Sequence, residues 1–268
     1  MATHAKIRLD TLLAQRGLFE SRSRAAAAVL AGDVRIGETA VAEKPGQLVA
    51  RDAELSVAKG PPFVSRGGVK LANALAASGV EVAGRRALDV GASTGGFTDC
   101  LLQAGAAEVT CVDVGYGELA WRLRSDPRVT ALERTNARAL SPALLPYAPD
   151  LIVVDVSFIS LRTVLPAVLA CAAARFDALA LVKPQFEVGR GNVGKGGVVR
   201  EPALRVGALV AVGEAALALG ASVLGYWSSG LPGPKGNRET FVQLAEAGRG
   251  GGFESAGLEA LAVAADIG

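Results

Sequence analysis

Histidine and cysteine are nearly absent from this 268-residue sequence, which has one of the first and three of the second. The histidine, His4, lies in what reads as an N-terminal tail, so a general base elsewhere must be a carboxylate, lysine, tyrosine or cysteine. Cys100, Cys111 and Cys171 are odd in number, and their spacings form neither a metal-ligand pair nor a disulfide framework. They read as small buried hydrophobes, and no metal is expected. A reducing cytoplasm fits that usage. The N-terminus lacks an apolar signal core, and no run of about 18 apolar residues occurs, because Arg205 and Glu214 punctuate the long apolar stretch near Leu217. A soluble, cytoplasmic protein with no membrane partner is expected. Aromatic residues make up only 5% of the chain, and no stacking platform stands out.

Half of the residues are hydrophobic, enough to bury one sizeable core and a smaller satellite. The formal charge is +2, but residues 1–32 carry Lys6, Arg8, Arg16, Arg22 and Arg24 against Asp10 and Glu20. That local excess suits a polyanion, and composition alone leaves a solvated helix face as the competing reading. Leu9, Leu12 and Leu13 repeat at helical spacing, Ser21 or Ser23 can cap a second alanine-rich helix, and Gly32 can end it. Short strands at Val34 to Ile36 and Leu55 to Val57 complete an α+β unit over residues 1–59. Pro61 and Pro62 mark a linker, residues 60–64.

Residues 65–247 alternate short apolar runs with helical stretches. A helix over Gly68 to Ala77 precedes five candidate strands at Ala87 to Val90, Val109 to Val114, Val129 to Leu132, Leu151 to Val156 and Leu179 to Val182. Such alternation implies a parallel sheet with helices on both faces. After a helix near Ala203 to Leu219, strands at Ser222 to Ser229 and Thr240 to Ala245 are joined by LPGPKGN. A connection that short permits an antiparallel hairpin but no parallel crossover, so the last strand is expected to be reversed. A Gly-rich segment and a short helix occupy 248–268.

The segment LDVGASTGGFTD, Leu88 to Asp99, runs from a strand through a glycine turn into a helix, and Gly91, Gly95 and Gly96 let its backbone approach a ligand. It is neither a P-loop nor the GxGxxG dinucleotide fingerprint. Asp113, 22 residues after Gly91, is placed to accept hydrogen bonds from an adenosyl ribose, which suits S-adenosylmethionine (SAM) and also NAD. Asp89 suits the ammonium of a methionine moiety, the alternative being that it only caps the following turn. Asp155 and Lys183, at the ends of the fourth and fifth strands, emerge at the same sheet edge as Glu239, which opens the reversed strand. Lys70, on the preceding helix, completes the group. Any one of these alone reads as a strand-end salt bridge; together they favour a site. Transfer of a sulfonium methyl to a ribose hydroxyl needs a base. A lysine, with a reference value of ~10.4, serves only where a cation or desolvation lowers it, and paired carboxylates act the other way. Lys70 is the candidate neighbouring cation for Lys183, with Asp155 and Glu239 orienting the lysines and the hydroxyl.

The stretches SRGGVK (65–70), LDVGASTGGFTD (88–99), DVGYGELAW (113–121), ERTNAR (133–138), DVSFISL (155–161), KPQFEVG (183–189) and LPGPKGNRE (231–239) together resemble the TlyA or haemolysin A family of rRNA 2′-O-methyltransferases, related to the FtsJ methyltransferases. The resemblance covers nearly the whole chain. It implies a Rossmann-like class I SAM methyltransferase domain with a seven-stranded, mostly parallel sheet, behind an N-terminal S4 RNA-binding domain. It implies the catalytic tetrad Lys70, Asp155, Lys183 and Glu239, with Lys183 as the base. SAM would be held by the turn (Asp89, Gly91, Ser93, Gly95, Gly96, Phe97), by Asp113 and by Asn136 near the adenine. The implied target is a cytidine ribose of 23S rRNA in the 50S subunit and, for members with a slightly longer N-terminus like this one, of 16S rRNA in the 30S subunit. One departure is the linker KGPPFV, where the family carries Trp before the Val and this chain has Phe63, preceded by two prolines.

Candidate RNA contacts are Arg8, Arg22 and Arg24 in the small domain and Arg66, Arg134 and Arg190 near the pocket, each weighed against a solvated charge. The loop GRGNVGKGG (189–197) suits a mobile clamp, and Phe186 suits stacking of a flipped base. Rival readings are a non-catalytic S4-type binding protein, an NAD-dependent oxidoreductase, a pseudouridine synthase and a pore-former. The missing GxGxxG and absent histidine proton donor argue against the oxidoreductase. A pseudouridine synthase has no use for the turn, and no spanning or amphipathic segment supports lysis.

Overall fold

Leu151–Val154, the run LIVV, is buried along its whole length, as a central strand of a parallel sheet must be when helices cover both faces. It belongs to the larger of two compact units in a computed structural model that describes residues 6–37, 40–57 and 61–267. The units divide between Pro62 and Phe63. His4 lies outside the described residues.

The smaller unit contains β1 (Lys6–Arg8), α1 (Leu9–Gln15), α2 (Arg22–Leu30), β2 (Val34–Ile36), β3 (Ala40–Val41), β4 (Leu48–Ala50) and β5 (Leu55–Val57). Helical spacing turns Leu9, Leu12 and Leu13 inward against Ala25 and Val29 of α2. Ser21 caps α2 by accepting from Arg24 N at 3.2 Å. Strand β2 pairs antiparallel with β3 and β5, and β1 pairs with β4. Strands β1, β3 and β4 are additions to the two expected from sequence.

The larger unit begins with α3 (Arg66–Ser78) and continues through β6 (Arg86–Val90), α4 (Gly96–Gln103), β7 (Glu108–Val112), α5 (Trp121–Arg124), β8 (Val129–Leu132), β9 (Leu151–Val154), α6 (Leu161–Leu169), β10 (Asp177–Val182), α7 (Pro184–Glu187), α8 (Pro202–Ala218), β11 (Ser222–Ser228), β12 (Thr240–Ala245) and α9 (Ser255–Ile267). Sheet order is β11-β12-β10-β9-β6-β7-β8, and β12 alone runs against its neighbours β10 and β11. The fold is therefore α/β, with a seven-stranded sheet whose last strand is reversed. Alternation along the strands sends Leu88, Val90, Ile152 and Val154 to one hydrophobic layer and Ala87, Val109, Leu151 and Val153 to the other.

Two strands stop earlier than their apolar runs suggest. β7 ends at Val112 because the chain turns away there, leaving Val114 exposed, and β9 ends at Val154, although Val156 remains buried. Asp113 and Asp155 consequently stand just beyond the ladder. Chain order reverses between β6 and β9, and the crevice outside the carboxyl ends of these strands is where open α/β sheets bind ligands. Among the described residues, no helix is long and apolar enough to cross a membrane.

Candidate active site

At this crevice the backbone of the glycine turn comes within van der Waals contact of the segment after β9. Gly91 has φ +88°, and a Cβ built on it would lie 2.5 Å from the Asp155 carbonyl oxygen. Gly96 is equally confined, since its Cβ would meet Ser65 Oγ at 2.1 Å. Ser93 adopts φ +47° and donates its N–H to Asp113 Oδ2 at 2.7 Å, while Gly115 N donates to Oδ1 at 2.7 Å. The two backbone donors fix the orientation of the Asp113 carboxylate. Asn136 caps a short 3₁₀ turn by accepting from Arg138 N at 3.0 Å.

The four expected catalytic side chains come together as two ion pairs. Lys70 Nζ lies 2.5 Å from Glu239 Oε2, and Lys183 Nζ lies 2.6 Å from Asp155 Oδ1 while donating to Ser157 Oγ at 2.8 Å. The pairs differ in access. Side-chain exposures are 8% and 1% for Lys70 and Glu239, against 11% and 23% for Lys183 and Asp155, so the second pair is the one open to a substrate. Lys70 reaches inward because it shares the buried face of α3 with Leu71 and Ala74. Glu239 is accommodated by Gly233, where a Cβ would fall 2.3 Å from its Oε1.

Both pairs line a cavity of about 570 Å³, with Gly91, Phe97 and Phe186 among its other walls. A second cavity of about 650 Å³ contains Asp113 and Asn136. The two share Gly91, Ser93, Asp155, Ser157 and Phe158, and so form lobes of one cleft. Gly95, with φ +93°, packs behind the turn against Leu119 and Leu123. Phe97 is buried and packs against Phe241, the rings tilted by 35° with centroids 5.7 Å apart.

Asp89 faces α4. Its strand parity is that of Ala87, which points it at α4, where Thr98 N and Oγ1 donate to Oδ2 at 3.0 and 2.7 Å. The residue is fully buried, lines neither lobe, and its Oδ1 finds no protein donor. Burial pushes its pKa up to about 7; the Thr98 hydrogen bonds pull downward, and the charge of Asp155 pushes further up. The Thr98 bonds match the alternative weighed for this residue, a cap on the following turn.

The basic candidates fall into several environments. Arg8 and Arg22 converge on the buried carboxylate of Asp10, at 2.7 and 3.4 Å, while Arg24 pairs loosely with Glu20 at 3.6 Å. The hydrogen bond from Arg8 holds Asp10 well below the usual carboxylate range. Arg66 lines the first lobe, Arg190 is exposed in a 3₁₀ turn, and the Arg134 guanidinium lies 4.3 Å from the Tyr116 ring centroid. The loop over 189–197 is tied down at one end: buried Asn237 donates to Gly197 O at 2.8 Å and accepts from Val199 N at 2.9 Å.

Sequence reading passed over Ser157, Phe158, Glu187 and Asn237. Phe158 is 92% exposed, has φ +65°, and lies 5.3 Å from Phe186 between ring centroids. The two rings, tilted by 49°, form an aromatic pair that the sequence pattern did not single out. Among the described residues, no group of three or more histidine, cysteine, aspartate or glutamate side chains could hold a metal ion.

Comparison with known proteins places these features in a family. The family described as FtsJ-like methyltransferase matches residues 63–246. The chain is 52% identical over 246 residues to the 16S/23S rRNA (cytidine-2'-O)-methyltransferase TlyA of Mycobacterium tuberculosis, covering 89% of this chain and 90% of that one. A solved structure from Streptococcus thermophilus, named as a hemolysin, superposes with a TM-score of 0.73 at 37% identity, covering 99% of this chain and 97% of the other. An S-adenosylmethionine dependent methyltransferase from Mesorhizobium loti shares the fold, at TM-score 0.50 and 15% identity over 68% of this chain and 100% of its own.

Proposed function

The chain belongs to the FtsJ-like methyltransferase family, and from that premise we propose that it transfers the methyl group of SAM to a cytidine 2′-hydroxyl of ribosomal RNA. One observation carries the reading. The accessible Lys183–Asp155 pair stands where the lobe containing both ion pairs joins the lobe containing Asp113 and Asn136. Nucleophile and methyl donor would meet at that junction. The Mycobacterium tuberculosis relative is named for both 16S and 23S rRNA, which supports both subunits as substrates.

The residues fit SAM. Asp113, oriented by two backbone donors, would bind the ribose hydroxyls, Asn136 would lie by the adenine, and the close-packed turn at Gly91, Ser93 and Gly96 would hold the methionine end. SAM supplies an electrophilic methyl on a sulfonium sulfur. Nζ of Lys183 would take the hydroxyl proton only from its neutral form, after the ammonium paired with Asp155 has released a proton to solvent, and Asp155 Oδ1 and Ser157 Oγ hold that nitrogen from two sides, so that positioning governs the encounter. The Lys70–Glu239 pair forms the deep wall of the same lobe. A cytidine drawn out of its helix would stack on the Phe158 and Phe186 rings, with Arg66, Arg134 and Arg190 taking neighbouring phosphates. Residues 1–59, with Arg8, Arg22 and Arg24, would act as an S4-type RNA-binding domain, and ribosomal RNA as substrate puts the reaction in the cytoplasm.

The test is transfer of labelled methyl from SAM to purified, unmodified 50S and 30S subunits, comparing wild type with Lys183→Ala. Label at a ribose 2′-oxygen that disappears in the variant supports the assignment. SAM binding without labelling of either subunit would mean a different acceptor.

A further inference from the structure

Glu187 belongs to the KPQFEVG stretch but to neither ion pair of the cleft. Its side chain is only 1% exposed, an expensive place for a carboxylate unless its oxygens are fully used. They are used on another segment of the chain. Ser160 Oγ donates to Oε2 at 2.6 Å, Leu161 N donates to Oε1 at 2.7 Å, and Arg162 Nε reaches Oε2 at 3.3 Å. Arg162 also donates to the Glu187 carbonyl at 3.1 Å. The carboxylate of α7 thus grips the first turn of α6, 26 residues away in sequence.

Helix capping accounts for only one bond of this grip, the one from Leu161 N. Ser160 already caps α6, accepting from Arg162 N at 3.2 Å. Nor is the buried charge neutralised in the interior, since the Arg162 side chain is half exposed. What the contact adds is a cross-link between two loops at the cleft mouth. Phe158 lies two residues before Ser160, and Phe186 immediately precedes Glu187. The Phe158 backbone sits in the left-handed region, and its ring is almost wholly exposed, with Phe186 as its ring partner. A residue so exposed has little packing of its own to hold it there, and strained positions persist where their surroundings over-determine them.

We propose that Glu187 is a positioning residue, holding Phe158 opposite Phe186 at the mouth of the cleft so that the target base finds a preformed platform. This rests on the reading of the two rings as the base-stacking surface. It is not a contact with the substrate: Glu187 is buried and lines neither lobe.

The experiment is a double-mutant cycle on the full chain, with steady-state methyl transfer from SAM to unmodified 50S subunits. The variants are Glu187→Gln, Phe158→Ala and the pair combined. Glu187→Gln is expected to lower kcat/KM for the subunit by about 10-fold or more, because small misplacements near a reacting group are costly. SAM affinity should stay within about twofold, and in the Phe158→Ala background the Glu187→Gln effect should vanish. Ser160→Ala removes one bond of the grip from the other side and should show a smaller loss, also abolished by Phe158→Ala; it carries the test if Glu187→Gln does not fold. Effects that multiply independently, or a Glu187→Gln enzyme with wild-type kinetics, would overturn the inference while leaving the stacking platform intact. Wild-type kinetics for Phe158→Ala would remove the platform and the inference together. Absence of transfer by the wild type would remove the function itself.

Discussion

Gly91 and Asp155 touch through their backbones: a single methyl on the glycine would stand 2.5 Å from the Asp155 carbonyl oxygen. The contact joins the glycine turn to the segment carrying one carboxylate of the accessible ion pair, and it also demands a left-handed backbone at position 91. Gly91→Ala must therefore push the two segments apart or strain both. We expect it to weaken SAM binding by about 10-fold or more and to lower kcat together with it. Calorimetric titration with SAM checks this; unchanged affinity would mean that the turn does not hold the cofactor.

The buried Lys70–Glu239 pair makes separable predictions for stability and turnover. Glu239→Gln strands a lysine ammonium with almost no solvent access, and breaking such a pair costs about 3–5 kcal/mol. Replacing both residues by apolar ones, Lys70→Met with Glu239→Leu, should restore most of that stability. Methyl transfer should not return. Urea unfolding alongside a turnover assay reads the two effects independently, and an active double variant would reduce the pair to a structural role.

For Lys183, arginine is a sharper replacement than alanine. Lys183→Arg keeps a cation beside Asp155 but cannot give up its proton. Turnover on ribosomal subunits should fall by about 100-fold or more, in the range typical of losing a general base, with SAM affinity retained. Near-normal turnover would make the charge, rather than proton uptake, the function of Lys183.

Asp89 predicts a pH dependence. Its native pKa of about 7 lies above the ordinary aspartate value of ~3.9, so between these the native chain binds more protons than the unfolded one. The stability this confers is complete below about pH 4 and is lost as pH rises through about 7. Asp89→Asn stays neutral throughout. Its Tm relative to wild type should therefore move upward by a few degrees between about pH 5 and pH 8. Parallel Tm profiles would show that the buried carboxyl does not titrate in that range.

Much of this architecture is legible in the amino-acid order. Five apolar runs separated by helical stretches, closed by a hairpin with the short loop LPGPKGN, leave few alternatives to a parallel sheet with one reversed strand. The runs are poorer guides to where strands stop, because Val114 and Val156 continue the apolar pattern after the backbone has left the ladder. In the small unit, strands of two or three residues such as Ala40–Val41 are too short to show any period. At Asp89 the signal was present, since period-two alternation with Ala87 already points it at the following helix. Glu187 had none: its partners lie 25 to 27 residues upstream, and nothing local marks a glutamate as a bridge between loops.

The reversed strand also dictates an order of events during synthesis. Lys70 leaves the ribosome 169 residues before Glu239, the carboxylate that neutralises it, and the hairpin that brings Glu239 home comes after β6 through β10. Until that hairpin docks, a nascent chain can contain the glycine turn, Asp113 and the Lys183–Asp155 pair, yet the deep wall of the cleft is a lone ammonium with no counter-ion. Vectorial folding thus makes the complete cleft a late product of translation, so a chain interrupted before the hairpin has the residues proposed for the cofactor but lacks the Lys70–Glu239 wall proposed for its acceptor.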